Sequence, residues 1–132
     1  MEEVNRKIEV FALMERLLDQ DMHYGKRDCH LMFLEVYEPD LLPIMQGRYT
    51  TPRGAIRVTK KEFGYGSLLD YLLDHDSYIE VMESKRLPLD IAIFNDHDCA
   101  IFYAPYAFGL TPDFKFGSID LSEYKCRYFR RV

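Results

Sequence analysis

The sequence lacks several features that would assign it to a functional class at once. Its 132 residues include no tryptophan and only three cysteines, Cys29, Cys99 and Cys126. Because the number of cysteines is odd and none are spaced as C-x-x-C, we expect neither a disulfide scaffold nor a zinc site. Asp96-His97-Asp98 offers potential ligands in one short segment without distant partners, so no metal or other cofactor is predicted.

The chain also lacks a long apolar run and an excess of basic residues. No hydrophobic stretch approaches the roughly 20 residues of a membrane-spanning helix, and the opening MEEVNRK is too charged for a signal peptide. A net charge of −5 disfavours binding to the phosphates of a nucleic acid. We therefore expect folding in a reducing cytoplasm, with no membrane span and no nucleic-acid partner. Later incorporation into a virus particle, or secretion by another route, is compatible with this expectation.

Two groups of basic residues stand out in this acidic chain. One is formed by Arg57, Lys60 and Lys61, and the other by the arginines of residues 127–131. Both are interpreted as solvated surface charge. The alternative for the second group is docking onto an acidic partner.

The residues that are present predict one α+β domain covering residues 1–132. Hydrophobic residues make up 48% of the chain, which is enough for a sizeable core at this length. Helical periodicity and capping signals come first, and short segments rich in β-branched and aromatic residues follow. This order predicts N-terminal helices packed on a C-terminal antiparallel β-sheet.

Four helices are predicted in the first half. The first covers residues 2–19. Its apolar residues at helical spacing, Ile8, Phe11, Met14 and Leu18, are expected to face the core, with Arg6, Glu9 and Arg16 on the solvent side. The second runs from Cys29 to about Tyr37 and is apolar almost all round, which is typical of a buried helix. After a loop, Thr51-Pro52 starts a third helix that ends near Gly64, and Ser67 starts a short fourth.

Five strands are predicted in the second half. They cover residues 78–82, 90–94, 99–103, 115–121 and 125–129. Because only residues 95–98 separate the second strand from the third, we expect these two to form a hairpin and to be neighbours in the sheet.

Cys29 is the strongest candidate for a chemical role. Asp28 is a good N-cap residue, so the thiol is expected at the first turn of the buried helix. There it would face unpaired backbone N–H groups and the positive end of the helix dipole, which favour the nucleophilic thiolate. The alternative is a small core residue, since free cysteine is commonly buried.

The segment around Cys29 resembles the NlpC-type, papain-like cysteine peptidases. Residues 23–33, HYGKRDCHLMF, are similar to the Tyr-x-x-Gly-x-x-Asp-Cys-Ser-Gly-Leu segment of that family, with a shortened loop. Residues 87–94, LPLDIAIF, are similar to its Pro-Gly-Asp-Leu-Val-Phe-Phe strand, and residues 99–103 to its next strand, His-Val-Gly-Ile-Tyr. The resemblance implies a papain-like, NlpC-like fold with Cys29 as the nucleophile.

A small, mostly phage- and prophage-encoded branch of that superfamily resembles the chain more closely. Its members carry Tyr-Gly-x-x-Asp-Cys, then Gly-Arg-Tyr-x-Thr-x-x-Gly-Ala, then a Leu-rich helix. The corresponding residues are 24–29, 47–55 and 67–73. This resemblance implies a virion protein that is assembled in the host cytoplasm and has other phage structural proteins as partners.

The catalytic base is the weak point of the resemblance. NlpC-type enzymes place a histidine at the start of the second core strand, where this chain has Asp98 or Cys99, with His97 one or two positions earlier. Cys29 and His97 are therefore the candidate catalytic residues, and His97 reaches the thiol only if a bulge or the strand end redirects it. The group that orients the histidine would fall near Phe108, where no polar side chain is available.

The remaining histidines are poorer candidates. His30 follows Cys29 on the same helix, and adjacent helical side chains do not face each other. His23 and His75 are expected in loops or on the surface.

Three functions fit these observations. The first is a non-catalytic NlpC-like structural or assembly protein of a phage particle, in the tail or neck region. The second is a cysteine hydrolase acting on peptidoglycan peptides or a similar amide or thioester, with Cys29 attacking, His97 as base and backbone N–H groups holding the oxyanion. The third is an interaction module of another kind, such as an accessory factor or inhibitor. A hydrogen bond between the Cys29 sulfur and an imidazole nitrogen would favour the second.

Overall fold

The computed structural model describes residues 2–132, with helices in the first half and a sheet in the second. The α-helices are α1 (Glu2–Leu17), α2 (Cys29–Tyr37), α3 (Leu42–Met45), α4 (Pro52–Phe63) and α5 (Leu68–Asp74). The strands are β1 (Tyr78–Val81), β2 (Ile91–Phe94), β3 (Asp98–Phe102), β4 (Ala107–Leu110), β5 (Phe116–Ile119) and β6 (Arg127–Arg131). Short 3-10 turns lie at Pro39–Leu41, Glu83–Lys85 and Leu121–Glu123. The predicted α+β class is confirmed.

Within residues 2–132, the six strands form one antiparallel sheet in the order β1-β6-β2-β3-β4-β5. β2 and β3 are neighbours, with Ile91 opposite Ile101 and Phe94 opposite Asp98. The predicted hairpin is therefore confirmed. β6 lies between β1 and β2, so the last strand connects the first strand to the rest of the sheet.

Side-chain caps explain where three helices begin. Each cap oxygen accepts a hydrogen bond from the backbone N–H three residues ahead: Asp28 from Leu31, Thr51 from Gly54 and Ser67 from Asp70, at 2.9, 3.0 and 3.1 Å. Pro52 occupies the first turn of α4, and Gly64 ends that helix with a left-handed φ of 81°. The predicted starts of α2, α4 and α5 are confirmed.

The buried face of α1 differs from the predicted one. The side chains that pack on the sheet are Val10, Leu13 and Leu17, with Met14 beside them. Ile8, Phe11 and Leu18 are 62%, 52% and 50% exposed, so their expected place in the core is wrong. The helix carries two apolar stripes offset by two residues, which is about 200° of rotation. Packing against Ile101 and Phe116 of the sheet decides which stripe is buried.

Two further differences concern short elements. The predicted loop after α2 contains the turn Pro39–Leu41 and the single-turn helix α3, whose Met45 is buried. The prediction also omits β4, because Ala107 and Gly109 have low strand propensity. Packing is tight at Gly109, since a Cβ there would lie 3.1 Å from the Cβ of Ala100 on β3.

The core lies mainly between the helices and one face of the sheet. α2 is the central helix of this layer and packs on β3. The other face carries a second apolar cluster that includes Phe94, Phe102 and Tyr128. Arg86 covers part of it, with its guanidinium 4.5 Å from the centre of the Phe102 ring. In the described part of the chain, no helix combines the length and apolarity needed to cross a membrane.

The C-terminal arginines are paired within the fold. Their carboxylate partners are Glu80 for Arg127, Asp90 for Arg130 and Glu38 for Arg131. The interpretation of this group as solvated surface charge is only partly met, because Arg127 and Arg131 are exposed but each arginine also joins β6 to a neighbouring segment. Arg57, Lys60 and Lys61 are exposed, as predicted.

Candidate functional site

Cys29 is the first residue of α2 and is buried where this helix meets the sheet. The helix is buried along most of its length, through Leu31, Met32, Phe33, Leu34 and Tyr37. Asp28 precedes it with an extended backbone and accepts the Leu31 N–H. The prediction that Cys29 begins a mostly buried helix capped by Asp28 is confirmed.

Both carboxylate oxygens of the buried Asp28 accept hydrogen bonds. Oδ1 accepts from the Leu31 N–H at 2.9 Å, and Oδ2 accepts from the Gly25 N–H at 2.9 Å and the Tyr49 hydroxyl at 2.7 Å. A buried carboxylate is costly without such donors. Burial, reinforced by Asp28, raises the pKa of Tyr49, which keeps the phenol protonated as a donor. Asp28 therefore fixes the loop that leads into Cys29.

The two sequence blocks that contain Tyr24–Cys29 and Gly47–Ala55 form one structural unit. Besides the bond between Tyr49 and Asp28, the Gly47 N–H donates to the Gly25 carbonyl at 2.8 Å. Gly25 has a left-handed φ of 84°, and a Cβ at this position would lie 1.9 Å from the Tyr49 carbonyl oxygen. Only glycine permits this close approach, so the second block holds the first against α2.

The turn between β2 and β3, residues 95–97, packs against the starts of two helices. Asn95 and Asp96 both have left-handed φ values, 56° and 62°. The Asp96 carbonyl accepts the Leu69 N–H of α5 at 3.1 Å. The His97 carbonyl accepts hydrogen bonds from two side chains of α2, His30 Nε2 at 2.6 Å and Cys29 Sγ at 3.9 Å. The hairpin thus brings His97 to the candidate nucleophile.

The contact between His97 and Cys29 involves the main chain of the histidine. The sulfur is hydrogen-bonded to a carbonyl oxygen, which accepts a hydrogen bond but does not act as a base at neutral pH. The Nδ1 atom of His97 is buried without a hydrogen-bond partner. The two predicted site residues are therefore neighbours in space, and their hydrogen bond is not the thiol–imidazole pair of a cysteine hydrolase.

The side-chain contacts of His30 and His75 are with groups other than the Cys29 thiol. His30 Nε2 is engaged with the His97 carbonyl, and the two rings are 6.4 Å apart between centroids. His23 is exposed in the loop before α2, as predicted. His75 follows α5 and is half-buried against Tyr71 and Tyr78, so the expectation of a surface position is only partly met.

Cys99 is one of the two residues, with Asp98, at the strand position where the resemblance expects the base. It lies on β3, is 2% exposed, and its thiol donates to the Cys29 carbonyl at 3.2 Å. A hydrogen bond with the Cys29 side chain, together with burial, raises the pKa of the Cys99 thiol. The site therefore holds two neighbouring thiols, and the second is protonated.

The position expected to hold the group that orients the histidine carries an apolar side chain. Phe108 of β4 lies opposite Ile101 of β3 and is buried. A polar neighbour on the helical side is Tyr24, which packs on the same cluster as Cys29. Burial raises the pKa of the Tyr24 phenol, and nearby Cys29 and Asp98 add to the effect.

An apolar pocket lies on the other side of His30, between α2, α4 and α5. Its walls include Phe33, Met45, Phe63 and Leu68. Across residues 2–132 there is no group of three or more histidine, cysteine, aspartate or glutamate side chains that could hold a metal ion.

The sequence signal for Cys99 and Tyr49 was present but incomplete. Cys99 is one of two residues at the expected base position, and Tyr49 belongs to the Gly-Arg-Tyr block, yet neither pattern predicts a contact with Cys29 or Asp28. Both contacts join residues far apart in the chain, 70 and 21 positions respectively.

Comparison with known proteins assigns the chain to a family. Neither the curated proteins nor the solved structures include a match. A family model described as a domain of unknown function, DUF6950, matches residues 3–128, and the chain therefore belongs to this family.

Proposed function

We propose that this protein is a non-catalytic NlpC-like domain that serves as a structural or assembly component of a phage particle, in the tail or neck region. It would assemble in the host cytoplasm through contacts with other phage structural proteins. The observation that carries the proposal is the hydrogen bond from Cys29 Sγ to the His97 carbonyl, with Asp98 or Cys99, and no histidine, at the position expected for the base.

A cysteine hydrolase needs a nucleophile, a base and a group that orients the base, all connected by hydrogen bonds. Here the first position holds Cys29, the second holds Asp98 or the protonated thiol of Cys99 where a histidine is expected, and the third holds Phe108. Without a base, the thiol loses the roughly 10²–10⁴-fold benefit of general acid–base catalysis. This arrangement favours a role without turnover.

Several features support the NlpC-like part of the proposal. A buried helix headed by Cys29 packs on an antiparallel sheet, and the two sequence blocks of the phage branch join at Asp28 and Tyr49. Leu89 stands where the family pattern has glycine and adopts a left-handed φ of 77°. A conformation that ordinarily favours glycine supports that alignment.

The assembly part rests on the resemblance to the phage branch, which is an association by family. It is supported by an apolar stripe on the outer side of α1, whose residues are each at least half exposed. The stripe consists of Ile8, Phe11 and Leu18, the last of which directly follows the helix. Exposed apolar residues grouped on one helix are typical of a protein contact surface.

The assembly role is tested with purified particles from a host that produces this protein with its phage. We expect the protein in the particles at a fixed stoichiometry, and we expect Phe11→Asp to fold normally but to be incorporated less. Glu15→Asp on the same helix is the control and should be incorporated like the parent. Absence of the parent protein from intact particles would overturn the assembly role.

The second candidate function is the cysteine hydrolase. It is favoured by the unpartnered Nδ1 of His97 and by the apolar pocket beside His30, which could accommodate a substrate side chain. Activity would require the His97 ring to turn towards the sulfur when substrate binds. Peptidoglycan hydrolysis by the purified protein that disappears in Cys29→Ala would establish this function.

A further inference from the structure

Cys29 and Cys99 form a pair of buried thiols that the assembly role does not use. Cys99 Sγ lies 3.2 Å from the carbonyl oxygen of Cys29, and both side chains belong to the same core cluster. They come from different layers, the start of α2 and the second residue of β3. The third cysteine, Cys126, belongs to the cluster on the other face of the sheet.

We propose that Cys29 and Cys99 are a redox-sensitive modification site, at which hydrogen peroxide or a similar peroxide converts the two thiols into a disulfide joining α2 to β3. The site would work whether or not the protein is part of a phage particle. The two thiols of a cysteine pair stay reduced while the surroundings are reducing. They can be oxidised to a disulfide when the surroundings become oxidising.

The two cysteines differ in exposure and position, and this difference assigns a separate step of the oxidation to each of them. Cys29 is the more exposed of the two, 8% against 2%, and it is the first residue of α2, at the positive end of the helix dipole. Its thiolate attacks one peroxide oxygen, the O–O bond breaks, and the products are a sulfenic acid on Cys29 and a hydroxide that takes up a proton to become water. The Cys99 sulfur then attacks the Cys29 sulfur, the S–O bond breaks, and the departing hydroxide leaves as water with the Cys99 proton.

The raised pKa of Cys99 agrees with this order, because a protonated thiol is a poor first nucleophile. In total, two thiols and one hydrogen peroxide give one disulfide and two waters. The bond would close a loop of 70 residues and fasten the central helix to the sheet. A cross-link over a loop of that length stabilises a fold mainly by restricting the unfolded chain.

The test is oxidation of the purified full-length protein with hydrogen peroxide, followed by alkylation in denaturant and mass spectrometry. Trypsin separates the three cysteines into the peptides 28–48, 87–115 and 126–127. We expect a cross-link between the first two peptides and a free Cys126. We also expect the melting temperature to rise by roughly 5 °C or more and to return with a dithiol reductant.

Three variants serve as matched controls. Cys126→Ser should form the same cross-link, whereas Cys99→Ser should stop at a Cys29 sulfenic acid that dimedone traps. Cys29→Ser should form neither product. The proposal is overturned if the folded parent keeps all three thiols at a peroxide dose that oxidises the denatured chain, or if the cross-link contains Cys126. Neither result would bear on the assembly role, which is measured separately by incorporation into particles.

Discussion

The hydrogen bonds of Asp28 determine the shape of the candidate site at the scale of single residues. Its carboxylate holds the first turn of α2, the Gly25 loop and the Tyr49 side chain together. The charged group is buried, so each of its donors replaces a water molecule that it lost on folding. Removing one donor should therefore cost more than removing a similar hydrogen bond at the surface.

Tyr49→Phe tests this directly. We expect it to lower the free energy of unfolding by about 1.5–3 kcal/mol, the range for hydrogen bonds to a charged group. Tyr65→Phe is the matched control, because its hydroxyl bonds to Asp74 at the same 2.7 Å but in an exposed place. The control should change stability by less than about 0.5 kcal/mol in urea denaturation. Equal losses in the two variants would contradict the buried role of Asp28.

Substitutions at Gly25 and Gly47 distinguish the energetic cost of an unfavourable backbone conformation from that of a close contact. Both have left-handed φ values, 84° and 78°, but an added Cβ meets the Tyr49 carbonyl at 1.9 Å only at Gly25. Gly47→Ala should cost about 1 kcal/mol from conformation alone. Gly25→Ala should cost more than about 3 kcal/mol or prevent folding, as measured by thermal melting. If the two variants melt alike, the contact between the two sequence blocks is not as close as described.

Local signals made part of the site predictable. The Asp-Cys pair before an apolar run predicts a capped thiol at a helix start, because capping depends on residues a few positions apart. Such local signals do not predict which groups form hydrogen bonds with Cys29. Cys99 and the His97 carbonyl contact Cys29 only because the β2–β3 hairpin packs against α2. The alternation of residues along a strand does not predict that a carbonyl group of the turn will bind the thiol.

At the scale of elements, β6 carries three ion pairs, and two of them, Arg130–Asp90 and Arg127–Glu80, differ clearly in burial. Arg130 Nε and Nη2 each lie 2.9 Å from a carboxylate oxygen of Asp90, whose side chain is 3% exposed. Arg127 makes a similar two-point contact with Glu80, but both of these side chains are more than 40% exposed.

Arg130→Ala should therefore lower the free energy of unfolding by about 2–4 kcal/mol, because it leaves a buried carboxylate without its cation. Arg127→Ala should cost less than about 1 kcal/mol, since solvent screens that pair. Urea denaturation of the two variants against the parent measures both values. A larger loss for Arg127→Ala would contradict the burial that distinguishes the pairs.

The elements show where sequence patterns suffice. Helix starts at Thr51 and Ser67 follow from neighbouring residues, and they are where the caps predict them. The orientation of α1 does not follow from neighbouring residues. The helix has two apolar stripes, and the residues that it packs against determine which stripe is buried. β4 was missed because Ala107 and Gly109 have low strand propensity, and its pairing with β3 and β5 depends on residues elsewhere in the chain.

At the scale of the whole molecule, buried phenols make stability sensitive to alkaline pH. Burial raises the pKa of Tyr37, Tyr49 and Tyr78 above the ordinary value of 10.0. Above that pH these tyrosines ionise in the unfolded chain but stay protonated in the folded one. The unfolded state then binds fewer protons, so the free energy of unfolding falls as the pH rises.

We therefore expect the melting temperature to decline steeply once the pH exceeds about 10. The phenolate absorbance should show a group of tyrosines that ionise only on unfolding. Tyr49→Phe should make the decline shallower, because one buried phenol is gone. Reversible ionisation of every tyrosine in the folded protein near pH 10 would contradict this expectation.

The absence of a catalytic thiol–imidazole pair is the central claim, and Cys29→Ala measured together with His97→Ala tests it most directly. Each variant is first checked by thermal melting, where loss of the sulfur should cost about 1 kcal/mol. Each is then assayed for particle assembly and for lysis of the bacterial wall. We predict that both variants support assembly like the parent and that the parent itself causes no lysis that depends on Cys29. Normal melting of both variants with loss of function in both would contradict the account and establish Cys29 and His97 as a working catalytic pair.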